Sequence, residues 1–256
     1  MSEAAEAGRA VAPAMIELRK LTKAFGSKAA LRGIDLRVAP GESLVIFGPN
    51  GAGKTTLIRI LASLSRPTSG KVLIGGLDLA THADGIRRYL GVVSHAPLLY
   101  DSLTAEENLR FFARLYNLSA PGERIAGLLE QVGLSGRRHD LVRTFSRGMV
   151  QRLAIARALL HDPLVLLLDE PDTGLDPQAA EMLHGLLVQL SKTPPAGEGE
   201  PARTIVTVTH SIERGLAIAD RVVILVGGQI AFEGRTAGLT PASFRPIYDR
   251  CVGGDR

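Results

Sequence analysis

Glu42-Ser43-Leu44-Val45-Ile46-Phe47-Gly48-Pro49-Asn50-Gly51-Ala52-Gly53-Lys54-Thr55-Thr56 is the stretch that decides the fold. A short apolar run reads as a strand. It empties into a loop of pattern GxxxxGK[ST], whose glycines let backbone N–H groups wrap phosphate oxygens. Beyond the loop, Leu57, Ile60, Leu61 and Leu64 recur at helical spacing on one face. A chance glycine-rich turn would not be framed by a strand before and an amphipathic helix after. The residues expected around a nucleotide's phosphates are therefore Gly48, Pro49, Asn50, Gly51, Ala52, Gly53, Lys54, Thr55 and Thr56. Lys54 supplies a point charge, and the Thr55 hydroxyl is placed to ligate Mg²⁺.

Further along, Leu164–Leu168 is an apolar run closed by Asp169 and Glu170. Two adjacent carboxylates at the end of a buried strand are costly unless a cation or a proton-handling role meets them. Asp169 is read as the group that holds Mg²⁺ through water, and Glu170 as the one that polarises an attacking water. His210 follows the strand-like stretch Thr204–Thr209, at the end where parallel strands face a ligand crevice. A second phosphate-holding element is Phe145-Ser146-Arg147-Gly148-Met149, a hydroxyl and a glycine at the start of a helix. One triphosphate does not need two such sites on one subunit, so the nucleotide is expected to be clamped between two copies of the chain.

Around these motifs, Met15–Phe25 and Leu31–Val38 alternate as antiparallel strands, and Lys71–Leu77 returns as another. Thr104-Ala105-Glu106-Glu107 is a capping box, opening a helix to about Leu118 with Leu109, Phe112, Ala113 and Tyr116 on its apolar stripe. A second helix runs from Pro121 to about Val132. Residues 96–160 thus form a helical lobe set into a β-rich one, and the later strands alternate with helices as in a parallel α/β core. Residues 1–14 are expected to be a flexible arm, 191–201 a disordered surface loop, and 235–256 a polar C-terminal tail.

The 256 residues carry 30 basic and 26 acidic side chains, a net charge of +4 that marks no nucleic-acid-binding patch. Apolar residues are 45% of the chain, the balance of a globular protein. The single cysteine, Cys251, points to a reducing compartment. No run approaches the roughly 20 apolar residues of a membrane span. If the protein works at a membrane, another chain supplies the span.

The order of these elements resembles the ATP-binding cassette (ABC) ATPases of membrane transporters, over about residues 15–234. The resemblance implies a P-loop NTPase with a RecA-like α/β core, an antiparallel β-subdomain and an inserted helical subdomain. It implies ATP and Mg²⁺ as ligands, a second ATPase subunit as partner in the ATP-bound state, and integral membrane transporter subunits, with the chain peripheral on the cytoplasmic face of the inner membrane. By its position in Lys23-Ala24-Phe25-Gly26, Phe25 matches the family's adenine-stacking aromatic, with a core role as the alternative. Ser146 and Gly148 match the signature residues that contact the γ-phosphate across the dimer. Asp176, in Thr173-Gly174-Leu175-Asp176, matches a residue expected at the partner's phosphate loop. His95, in Gly91-Val92-Val93-Ser94-His95, stands where the family usually has glutamine. It is read as a metal-site and catalytic group coupling Mg²⁺·ATP to the helical lobe, with an uninvolved loop histidine as the alternative.

Val92-Val93-Ser94-His95, the run Leu98–Leu109 and Arg147 in the signature are similar to the ATPases of haem exporters in cytochrome c biogenesis. That subfamily resemblance implies haem delivery, with no direct contact between this subunit and haem. Another exporter's ATPase, for a drug, lipid or ion, and a soluble ABC-type ATPase acting on nucleic acid or ribosomes are the competing readings. The segment Ala96–Leu118 is where such ATPases meet their membrane partner, with Phe111 as a docking side chain and Phe112 in the core. Arg137-Arg138-His139 is read as a solvated basic face or a contact with lipid headgroups.

Overall fold

The fully buried strands dictate the architecture. In a computed structural model describing residues 14–94, 96–194 and 202–254, β3 (Ser43–Phe47), β7 (Val165–Asp169) and β8 (Thr204–Val208) are buried at every position. Strands buried on both faces belong inside a parallel sheet covered by helices. They do so here, in a six-stranded sheet of order β10-β9-β3-β8-β7-β6. Its other members are β6 (Leu90–Val93), β9 (Arg221–Val226) and β10 (Gln229–Arg235), with β9–β10 the antiparallel pair. The alternating strands β1 (Ile16–Phe25) and β2 (Lys28–Val38) build a second, antiparallel sheet of order β2-β1-β4-β5.

In that sheet the expected strand over Lys71–Leu77 is two strands, β4 (Ser69–Ile74) and β5 (Leu77–Asp78). Gly75 and Gly76 between them take φ of 57° and 80°, the left-handed pair that a two-residue hairpin turn requires. Helix α1 (Lys54–Leu61) buries Leu57, Ile60 and Leu61 as expected. Leu64 departs from the expectation: the helix stops before it, Ser63 turns at φ 56°, and Leu64 is 61% exposed.

The helical lobe holds α3 (Ala105–Leu115), α4 (Gly122–Gln131) and α5 (Arg147–Leu159), packed with α6 (Pro177–Lys192) around one apolar cluster. The capping box forms, with Glu107 N–H on Thr104 Oγ1 at 3.1 Å and Thr104 N–H on Glu107 Oε2 at 2.8 Å. The expected basic face is largely neutralised within the chain: Arg138 pairs with Glu106 at 2.9 Å and Arg137 with Asp140 at 2.6 Å. Arg110 and Arg138 together hold the Glu106 carboxyl below the usual range.

β6 lies at the rim of the large sheet. The outward carbonyls of Leu90 and Val92 accept from His161 Nε2 at 3.0 Å and Arg157 Nη2 at 2.6 Å. The same two side chains meet α3 and its C-terminal turn: His161 stacks on Tyr116 at 3.9 Å, and the Arg157 guanidinium lies 5.3 Å from the Phe112 ring centre.

Two expectations for the C-terminal half change. Ser191 and Lys192 belong to α6, because the Pro/Gly run that breaks the helix begins after them; residues 195–201 of the expected loop lie outside the described residues, as do 1–13 of the expected arm. The stretch 235–256, read as a tail, carries α8 (Pro241–Gly253), capped by Thr240 and started by Pro241. Its Phe244 is fully buried, 5.2 Å from the Phe47 ring. The remaining helices are α2 (Leu79–Arg87) and α7 (Ile212–Ile218). Among the described residues, no helix is long and apolar enough to cross a membrane.

Candidate functional site

Three strands of the parallel sheet end at one edge and deliver the chemistry there. β3 runs into the phosphate loop, β7 into Asp169 and Glu170, and β8 into Thr209 and His210. Such carboxyl ends of parallel strands are where an α/β sheet opens a crevice. The loop is held in its curve by glycines that nothing else replaces. Gly48 has φ 150°, and a Cβ there would overlap the Leu225 carbonyl oxygen; Gly53, at φ 103°, would meet Ala30 in the same way.

Inside the loop, Lys54 is 5% exposed and donates to the carbonyls of Gly48 at 2.8 Å and Pro49 at 3.0 Å. Burial pushes its ammonium below the ordinary lysine range, and the charges of Glu170 and Asp169 oppose that shift. Thr55 Oγ1 donates to Asp169 Oδ1 at 3.2 Å. This brings together one hydroxyl and one carboxylate oxygen, the hard ligands Mg²⁺ takes when phosphate and water complete its shell. Among the described residues no group of three or more acidic, histidine or cysteine side chains forms a cation cage. The site therefore suits a metal that arrives with phosphates.

Glu170 stands at φ 51°, a left-handed conformation uncommon for a residue with a side chain, and its N–H continues the sheet by bonding the Val208 carbonyl at 2.9 Å. Its carboxylate meets His210 Nε2 at 2.6 Å and accepts from Thr173 Oγ1 at 3.2 Å. One cleft is lined by Phe25, Lys28, Ala30, Asn50, Gly51, Ala52, Gly53, Lys54, Thr55, Thr56 and Glu170. Phe25 is 57% exposed at its mouth, with Lys23 Nζ 4.8 Å above the ring, so it is not a core aromatic.

Ser146 and Gly148 are not among the residues that line this cleft, while Phe145 and Arg147 share a neighbouring pocket with Glu170. Ser146 caps α5, its Oγ accepting from Met149 N–H at 3.3 Å, and remains exposed. Gly148 has a role within the subunit that the sequence did not reveal: a Cβ there would come within 2.8 Å of Ala179 Cβ, so the glycine lets α5 approach α6. Arg147 lays its guanidinium across Gly174. Asp176 caps α6 through Ala179 N–H at 2.9 Å. His95 lies outside the described residues. Sequence reading also missed Asp172, Thr209 and Arg214, which bond to one another beside the Glu170–His210 pair in the chain; the one signal was a further carboxylate just after Glu170.

A family profile described as "ABC transporter" matches residues 31–173, more than half of the chain. The chain belongs to the ABC transporter family. Among its relatives, an uncharacterized ABC transporter ATP-binding protein of Bacillus subtilis (strain 168), YdbJ, is 36% identical over 93% of this chain and 75% of its own length. The linearmycin resistance ATP-binding protein LnrL of the same organism is 34% identical, covering 84% and 68%. The ATP-binding cassette MJ0796, solved as a dimer in a post-hydrolysis state bound to ADP and Pi, superposes with a TM-score of 0.77 at 30% identity, over 88% of this chain and all of that one. Family membership makes the chain an ATP-binding, ATP-hydrolysing subunit.

Proposed function

We propose that the chain hydrolyses ATP as half of a two-subunit sandwich docked on integral membrane subunits at the cytoplasmic face of the membrane, driving an exporter. The observation that carries this reading is the 2.6 Å contact between Glu170 and His210, beside Thr55 and Asp169 and across from the phosphate loop. Loop N–H groups and Lys54 hold the β- and γ-phosphates, and Phe25 offers its exposed face to adenine. Thr55 and, through water, Asp169 hold Mg²⁺, which neutralises developing charge on the phosphates. Glu170 accepts a proton from the water that attacks in line, and His210 holds Glu170 and steadies the γ-phosphate charge. Ser146 and Gly148 of one copy close on the nucleotide of the other. The exposure of Ser146, which lines no part of its own subunit's cleft, supports this arrangement.

For the cargo we propose haem, delivered for cytochrome c assembly, on the strength of Val92–His95, the run Leu98–Leu109 and Arg147. Tyr100, Phe111 and Phe112 form one aromatic cluster, with Tyr100–Phe111 ring centres 4.9 Å apart. Leu98 and Tyr100 are about half exposed beside it, a surface fit for the membrane subunits. The competing cargo is a small organic compound, favoured by the name of the linearmycin resistance relative.

Two experiments test these readings. Glu170→Gln with saturating ATP is expected to elute as a dimer; a monomer under those conditions rejects the sandwich. Deleting the chain in its own organism is expected to remove haem-staining c-type cytochromes. Their persistence alongside new sensitivity to an organic compound turns the cargo reading over.

A further inference from the structure

The segments that follow β7 and β8 are tied together more than once. The backbone bond from Glu170 to Val208 and the Glu170–His210 contact are two of the ties. A third lies just behind them and touches no part of the phosphate-loop cleft. Asp172 accepts from Arg214 Nη1 at 2.8 Å and from Thr209 Oγ1 at 3.4 Å. Thr209 is buried, and its hydroxyl also accepts from Ser211 N–H at 3.1 Å. Ser211 in turn caps α7 through Arg214 N–H at 3.4 Å. His210 is thus flanked on both sides by residues of one hydrogen-bonded network whose anchor is the Asp172 carboxylate. Next in α7, Gly215 lies against the Phe47 ring so closely that a Cβ would overlap it. With its body seated on β3, the first turn of α7 has the Asp172–Arg214 pair to set its direction.

We propose that Asp172 and Arg214 are positioning residues for hydrolysis. Their ion pair fixes the angle at which the chain leaves β8, and so holds His210 on the Glu170 carboxylate. Because Asp172 leads directly into Thr173–Asp176, the stretch expected to face the second subunit, the pair also carries the approach of that subunit to His210. An arginine–carboxylate bond is charge-assisted and directional, which is what a hinge of this kind needs. Misplacing a reacting group by about 1 Å costs on the order of a hundredfold in rate, whereas ATP binding is supported elsewhere. The inference rests on the reading of Glu170 and His210 as the hydrolytic pair, and the experiment separates the two.

Wild type, Asp172→Asn, Arg214→Gln, the double variant and Glu170→Gln are compared in steady-state ATP hydrolysis, at a temperature well below every variant's unfolding midpoint. Each single variant is expected to lose roughly tenfold in kcat with KM for ATP within about twofold of wild type, the signature of lost transition-state positioning. The double variant is expected to fall no further than either single, since one interaction is removed once. Single variants with unchanged kcat, losses that multiply in the double variant, or an effect confined to KM or to the unfolding midpoint overturn the positioning role. Should Glu170→Gln hydrolyse as fast as wild type, the hydrolytic reading falls and this one with it. An inactive Glu170→Gln beside a fully active Asp172→Asn sinks the positioning role alone.

Discussion

At Gly48 and Gly53 the loop's backbone turns through conformations where a side chain would collide with Leu225 and Ala30. Gly48→Ala is therefore expected to abolish nucleotide binding, read by equilibrium titration with a fluorescent ATP analogue. Glu170→Gln removes the proposed proton acceptor but keeps the side chain's shape, so hydrolysis is expected to fall by roughly 10²- to 10⁴-fold while ATP still binds. Away from the site, burial pushes the His161 imidazole down to about 4. A histidine that folds neutral adds stability that is complete above its unfolded pKa of about 6.5 and is lost as pH falls toward the folded value. The wild type is expected to lose up to about 3 kcal/mol over that window beyond what His161→Gln loses, measured as urea midpoints at pH 7.5 and 4.5. The loop and the carboxylates were legible in the sequence because each residue type there answers a local demand of backbone or charge. Asp172 and Arg214 were not, because their meaning arises only when two strands of the parallel sheet bring them together.

The same contrast holds among the elements. β3 and β7 announced themselves as short apolar runs, β8 as a β-branched one, and the capping box at Thr104 announced α3. α8 has a start signal in Thr240-Pro241 but no apolar pattern to follow it: Pro246 interrupts its interior, and Phe244 is its one fully buried side chain. What seats it is an aromatic contact with Phe47 on β3, a partner no local pattern discloses. Phe244→Ala is expected to cost about 3–5 kcal/mol in chemical denaturation, a cavity penalty out of proportion to the helix's place near the end of the chain. Gly75 and Gly76 show the opposite case, since a two-glycine turn was visible in the sequence and was absorbed into too long a strand.

For the whole molecule, the informative fact is that Ser146 is exposed and lines no part of its own copy's phosphate-loop cleft, while the cassette MJ0796 is a dimer bound to ADP and Pi. In the Glu170→Gln background, Ser146→Arg is expected to prevent ATP-dependent dimerisation without changing the monomer's affinity for ATP. Light scattering beside nucleotide titration checks both. The rim of the large sheet carries a different consequence. A bare edge strand is a template on which another chain's strand can add, and β6 would be such a template at the border of the helical lobe. With the Leu90 and Val92 carbonyls already taken by His161 and Arg157, those two acceptors are withheld from such a strand. The two side chains that fasten α3 to the sheet therefore also cover part of its rim, and His161 keeps its Nε2–H on the Leu90 carbonyl whether neutral or charged.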